Sequence, residues 1–328
     1  MVDLARLDRI GFLTLPDYSQ IAVASAIEAC RMANYVAGHE SYTWKAVSLD
    51  GNPVAASNGF SLAPTMSLEA AGQLNCLFVC GGVRVREAVD RRVTDALRRL
   101  ARQGVALGSL CTGTFALAEA GLLDNYRCAV HWENLDAVRE EFPEIDICDD
   151  LFVIDRDRLT CTGGVAPLDL MLALIEQRLG RGVASKVSKQ FIQERIRAAS
   201  ERQRPNPWGE YPDKIIGLAH QLMQTTIEVP VTIPYIARAM GISRRQLERV
   251  FKRHTGKSPA EYYLDLRLTK ARELLRLTNM PITDIGIACG FQSSAHFSTA
   301  FKSQYGRPPR AERGASVLAP HERVEMHL

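Results

Sequence analysis

Two stretches decide how the C-terminal third folds: Ile233-Pro-Tyr-Ile-Ala-Arg-Ala-Met-Gly241-Ile-Ser-Arg-Arg-Gln-Leu247-Glu-Arg-Val-Phe251-Lys252 and Ile282-Thr-Asp-Ile-Gly-Ile-Ala-Cys-Gly290-Phe-Gln-Ser-Ser-Ala-His-Phe297-Ser-Thr-Ala-Phe301-Lys302. They repeat at an offset of 49 residues before the turn and 50 after it, so the second turn holds one more residue. Such internal self-similarity outranks most local signals. Each copy opens with a short apolar helix that stops at a glycine, which tolerates the left-handed conformation. An apolar residue (Ile242, Phe291) plugs the turn, and a serine (Ser243; Ser293 or Ser294) caps the next helix. That helix turns Leu247, Val250 and Phe251 inward in the first copy, and Phe297, Ala300 and Phe301 in the second. Facing outward are Arg244, Arg245, Glu248 and Arg249, and then Ala295, His296, Ser298 and Thr299. A helix-turn-helix reader needs this free polar face.

Between the copies, Ala260 to Leu277 reads as one helix with Leu264, Leu268, Ala271 and Leu275 as its buried stripe. At 1.5 Å per residue it is about 27 Å long, enough to hold two recognition helices about one DNA turn apart. From Ser243 to Arg310 the basic residues are Arg244, Arg245, Arg249, Lys252, Arg253, Lys257, Arg267, Lys270, Arg272, Arg276, Lys302, Arg307 and Arg310. The acids are only Glu248, Glu261, Asp265, Glu273 and Asp284. The net charge of the whole chain is only +3, so this local excess is what points to phosphate.

Residues 215–310 resemble the DNA-binding domains of the AraC/XylS family, the runs Gly290-Phe-Gln-Ser and Gly306-Arg-Pro-Pro included. The resemblance implies double-stranded DNA as a partner. Arg244, Arg245 and Arg249 would enter one major groove, and Ser294, His296 and Thr299 the next. Ser243, Glu248, Ser293, Ser298 and Lys302 complete the expected DNA-facing set. The second reading helix is poor in Arg and Gln, so it is expected to read shape or phosphate more than bases.

Upstream, from Arg9 to about Gly180, short apolar runs alternate with helical stretches. Arg9–Leu15, Trp44–Leu49, Asn75–Cys80, Val105–Ser109 and Leu159–Thr162 read as strands. Ile21–Tyr35, Glu87–Arg102 and Leu168–Leu179 read as helices. Alternation of this kind implies an α/β unit with a mostly parallel sheet covered on both faces. The expected division is a ligand-sensing domain over 8–199, a linker over 200–212 with three prolines, a helical domain over 213–310 and a tail over 311–328.

Ser109-Leu110-Cys111-Thr112-Gly113 follows a strand and opens a helix, which suits the sharp turn of a nucleophile elbow. The helix N-terminus is expected to lower the thiol's pKa. His131, beside Trp132, is a candidate base. Read alone, this is a cysteine hydrolase.

The stretch from Arg9 to Gly180 resembles the PfpI branch of the class I glutamine amidotransferase-like superfamily. Gly81-Gly82, the cysteine elbow, Ala118-Glu-Ala-Gly-Leu-Leu-Asp124 and His131-Trp132 carry the likeness. It implies a flavodoxin-like fold. With the helical domain, the whole arrangement resembles the GlxA-type regulators. Peptidase-like members place His directly after the Cys, where this chain has Thr112, and members with a reactive cysteine carry a Glu after the first strand. Here that neighbourhood is Pro16-Asp17-Tyr18-Ser19. The elbow therefore reads as the lining of a pocket, not a catalytic centre. Gly82, Cys111, Thr112, His131, Trp132 and Gly163 are the expected ligand-binding residues, since ligands of open α/β sheets sit at the carboxyl ends of strands. Trp132 would offer a cation–π face to a quaternary amine.

The expectation is thus an activator of a catabolic operon that answers to a small amino-acid-like or betaine-like metabolite. It would work as a homodimer with RNA polymerase as a further partner. The alternative is a cysteine-dependent hydrolase or glyoxalase-like enzyme with an attached DNA-binding module. No cofactor or metal is expected: the eight cysteines contain no Cys-x-x-Cys, and His39, His321 and His327 are scattered. No apolar run approaches the roughly 20 residues that span a bilayer. Met1-Val2-Asp3-Leu4-Ala5-Arg6 places charge inside any signal-peptide core, so a reducing cytoplasm is expected. The arginines at 84, 86, 91, 92, 98 and 99 read as a solvated helix face.

Overall fold

In the computed structural model, which describes residues 3–203 and 214–314, the first strand β1 (Arg9–Thr14) lies inside a seven-stranded sheet, next to its middle strand. Its apolar run is buried along almost its whole length, as a central parallel strand must be. The chain continues through α1 (Gln20–Ala37), β2 (Thr43–Ser48), the hairpin β3 (Val54–Ala55) and β4 (Ser61–Leu62), β5 (Met66–Ser67) and β6 (Cys76–Cys80). Then come α2 (Val85–Ala88), α3 (Arg91–Arg102), β7 (Ala106–Leu110), α4 (Thr114–Glu119), β8 (Arg127–Ala129), α5 (Leu135–Glu141) and β9 (Asp146–Cys148). The unit closes with β10 (Phe152–Asp155), β11 (Arg158–Cys161), α6 (Ala166–Leu179) and α7 (Arg181–Gln190). The sheet order is β10-β11-β7-β6-β1-β2-β5, parallel except for the β10–β11 pair. β8 and β9 form a separate parallel pair. This is the flavodoxin-like arrangement.

Side-chain fit sets the centre of the sheet. Phe12 on β1 and Phe78 on β6 are in register and stack at 5.8 Å between ring centroids. Gly108 on β7 makes room for them, because a Cβ there would sit 2.3 Å from the Phe78 ring. Two expectations need adjustment. The helix read over Glu87–Arg102 is broken, because the Asp90 side chain accepts from the Val93 amide and starts a new helix at Arg91. Six of the seven strands of two to four residues (β3, β4, β5, β8, β9 and β10, all but β11) leave no readable period in the sequence. Of the arginines read as a solvated face, Arg84, Arg91, Arg92 and Arg98 are exposed and Arg86 and Arg99 half-buried. Four of them form ion pairs: Arg84 with Asp17, Arg86 with Glu141, Arg92 with Asp90 and Arg98 with Asp95.

Met1–Gln203 and Arg204–Leu328 are separate compact units. The second is all helical where described: α8 (Lys214–Thr225), α9 (Ile233–Ala239), α10 (Arg244–Thr255), α11 (Pro259–Leu277), α12 (Ile282–Ala288), α13 (Ser294–Tyr305) and α14 (Pro309–Gly314). Most of the 200–212 linker and residues 315–328 of the tail lie outside the described residues. Residues 311–314, assigned to the tail from sequence, instead complete α14. No described helix is long and apolar enough to cross a membrane. All eight cysteines are free thiols.

Candidate DNA-reading face and pocket

Gly241 and Gly290 end α9 and α12 with φ of 69° and 76°, the left-handed region. At Gly290 space forbids a side chain as well, since a Cβ would lie 2.4 Å from the Ile227 carbonyl oxygen. Ser243 caps α10 by accepting from the Gln246 amide, and the Gln246 side chain returns the bond at 2.9 Å to the Ser243 amide. Ser243-x-x-Gln246 is the local sequence signature of this reciprocal box. In the second copy Ser293, not Ser294, is the cap, accepting from the His296 amide. Leu247, Phe251, Phe297 and Phe301 are fully buried. Each contributes about 2–3 kcal/mol by burial against about 1 kcal/mol for a cap, so packing fixes both helices and the caps set where they start.

Of the DNA-facing set, Ser243, Arg244, Arg245, Arg249, Ser293, Ser294, His296, Thr299 and Lys302 are exposed, while Glu248 and Ser298 are half-buried. Arg244 pairs with Glu248 one turn away, at 2.8 Å. His296 rests edge-on against Phe291, with ring centroids 5.5 Å apart.

Several cations counted from sequence as phosphate partners have other duties. Arg267 donates 2.8 Å bonds to the Cys289 and Gly290 carbonyls and stacks on Phe291, so it caps the second turn from α11. Arg272, Arg276 and Arg307 converge on Glu312 at 2.7, 2.5 and 2.5 Å, and the Glu312 side chain is wholly buried. Burial pushes the Glu312 carboxyl up, but the hydrogen bonds and charge of these arginines outweigh it and hold it below its ordinary value. Lys257 pairs with Asp265. Of the cations counted between Ser243 and Arg310, Arg245, Arg249, Lys252, Arg253, Lys302 and Arg310 are exposed and in none of these ion pairs. The first recognition helix holds four of these six.

In the α/β unit, β7 runs into Cys111, which adopts φ 59°, a strained value for a residue with a Cβ. The elbow is real. Gly163, at the end of β11, faces it: a Cβ there would lie 3.1 Å from Cys111 Sγ and 2.7 Å from His131 Cδ2. Cys111, His131 and Gly163 therefore meet at one point, and Trp132 lies against His131 with centroids 5.4 Å apart. Gly82 and Thr112 do not open onto that point in the same way. The Thr112 hydroxyl donates to the Gly82 carbonyl at 2.7 Å, and this buried bond braces the turn.

The thiol departs from expectation. Burial pushes Cys111 up to about 11; the Thr112 amide opposes this, and the Glu133 carboxylate adds to it. A helix N-terminus favours thiolate only where the sulphur keeps some solvation, and here desolvation wins. His131 Nδ1 accepts a long 3.4 Å bond from the Glu133 amide and lies 3.7 Å from the Glu133 carboxylate. Glu133, not singled out from sequence, thus contacts His131 and acts on the Cys111 thiol through its charge.

The first unit matches the DJ-1/PfpI family over residues 8–177, and residues 236–315 match a helix-turn-helix domain family. These define the class: the chain belongs to the AraC-type transcriptional regulators that carry a DJ-1/PfpI domain ahead of the helix-turn-helix units. It is 44% identical over 312 residues to the HTH-type transcriptional regulator GbdR of Pseudomonas aeruginosa, covering 94% of this chain and 85% of that one. It is 36% identical over 319 residues to the HTH-type transcriptional regulator GlxA of Rhizobium meliloti, covering 96% and 98%. A crystal structure of an AraC family transcriptional regulator from Pseudomonas putida superposes with a TM-score of 0.51 at 32% identity, over 56% of this chain and 99% of that one.

Proposed function

We propose that the protein activates a catabolic operon when a small amino-acid-like or betaine-like metabolite occupies the pocket at Cys111, His131, Trp132 and Gly163. Gly82 and Thr112 hold that pocket's floor. The DNA-facing residues are those on α10 and α13, with Arg245 and Arg249 as the principal base readers. The protein acts in the cytoplasm as a homodimer and engages RNA polymerase at the promoter. The ligand works through a difference in affinity between two arrangements of the regulator, as any allosteric effector must.

The observation that carries this reading is the elbow thiol, strained and positioned yet pushed up to about 11. A nucleophile at neutral pH needs the opposite shift. The enzyme reading has one point in its favour, the His131–Glu133 contact at 3.7 Å beside Cys111. Thermal-shift screening of amino-acid-like and quaternary-amine metabolites separates the two. A true effector at 100 times its Kd adds about 2.7 kcal/mol to the first unit and changes DNA affinity. Hydrolytic turnover that Cys111→Ala abolishes, with no stabilising compound found, would reverse the assignment.

A further inference from the structure

The last residues before the interdomain segment are fastened to the pocket at three places. Cys111 N donates to the Thr162 carbonyl at 3.3 Å, Thr162 N to the Leu151 carbonyl at 3.0 Å, and Leu151 N to the carbonyls of Ala199 and Glu201, each at 3.0 Å. A backbone ladder thus runs from the elbow to residues 199–201. Just past the Gly163 loop, the first turn of α6 carries the fully buried Asp169, which receives the Arg197 amide at 2.9 Å and its guanidinium at 3.0 and 2.7 Å. Beside His131, the Val130 carbonyl accepts from Gln203 Nε2 at 2.9 Å. The segment is also stapled to itself, as Glu201 takes the Ala198 amide at 2.8 Å and pairs with Arg195. It should move as one piece.

We propose that Arg197–Gln203 is the output latch of the sensor, with Arg197 and Gln203 as its positioning residues. This rests on the effector reading above and adds the route by which occupancy leaves the pocket. The two fastenings differ in strength. Asp169 is buried and its bonds to the half-buried Arg197 are charge-assisted, so this pair serves as the pivot. The Gln203–Val130 bond is neutral and borders the residue that a ligand must touch, so it is the part that releases. A ligand that shifts His131 by a fraction of an ångström alters the carbonyl that Gln203 holds, and the change arrives where the chain leaves the unit.

Gly163→Ala tests this without knowledge of the ligand, because the added methyl would press on both Cys111 and His131. Hydrogen exchange is read on the full-length variant and on the wild type. The expected result is faster exchange, by about fivefold or more, at the amide of Leu151, with the Arg197 amide at the pivot and with β1 and β6 unchanged. Faster exchange confined to residues 131–133, with Leu151 as in the wild type, overturns the latch and leaves the sensor reading standing. Should Gly163→Ala not fold, Gln203→Ala reads the same coupling in reverse, since linkage is reciprocal. Its Cys111 should react with iodoacetamide at a rate about threefold or more different from wild type, and an equal rate overturns the proposal. The sensor reading fails separately, if no metabolite stabilises either the wild type or Gln203→Ala.

Discussion

The two helix-turn-helix copies share one plan and use their arginines in opposite ways. In both, a left-handed glycine stops the first helix, a serine starts the second and two large apolar side chains bury it. The first copy then presents Arg244, Arg245, Arg249, Lys252 and Arg253 on its recognition helix. The second offers Ser294, Ala295, His296, Ser298, Thr299 and Lys302. Around it the guanidinium groups turn inward, Arg267 to the backbone of the turn and Arg272, Arg276 and Arg307 to Glu312. One repeat thus keeps cations for the surface and the other builds structure from them. Equal folds do not imply equal contributions to recognition.

The sharpest way to break this contrast is to remove Glu312. Glu312→Ala leaves three arginines without their buried acceptor. Losing one partner of a buried pair costs about 3–5 kcal/mol, and the lower end applies here because the arginines are a third exposed and can turn to solvent. Denaturant unfolding of the full chain should show the helical unit destabilised by about 3 kcal/mol and the α/β unit unchanged. The same carboxylate fixes a pH dependence. Its folded value lies below the unfolded one, so its stabilisation is complete above the ordinary glutamate range and fades as pH falls through that range to the lower folded value.

Recognition comes next in size. Arg245→Ala should weaken site-specific binding by about 1–3 kcal/mol if the side chain reads a base, and relax preference at one position. His296→Ala should cost less than about 1 kcal/mol and act alike on all sequences, as for a contact that sets register. Electrophoretic titration of both variants at one fixed salt concentration compares them, and equal losses would remove the asymmetry.

The caps give the smallest difference. Ser243→Ala should cost about 1 kcal/mol and Ser293→Ala somewhat less, because only Ser243 has a reciprocating partner, Gln246. Thermal unfolding of the two variants measures this.

Much of the fold was legible in the sequence because its signals are local. The glycines, the serine caps, the alternation of strands and helices and the stripe on α11 each occupy a few neighbouring residues. The elbow at Cys111 was legible for the same reason. What stayed hidden depends on distant residues. Glu312 lies 36 and 40 residues from Arg276 and Arg272 in a stretch without period, so the arginines looked available to phosphate. Asp169 and Arg197 are 28 residues apart and mark no motif. The direction of the Cys111 shift was missed because a helix N-terminus can be read from sequence, whereas desolvation cannot.

The central claim is a two-part reader whose first part carries most of the sequence preference. Selection of bound sequences from a random duplex library by the full-length protein tests it directly, with Arg245→Ala and His296→Ala run in parallel. The wild type should enrich two blocks of preferred bases about 10 base pairs apart. The stronger block should vanish with Arg245→Ala and survive His296→Ala. Enrichment of no sequence, or loss of the stronger block with His296→Ala alone, would contradict the account.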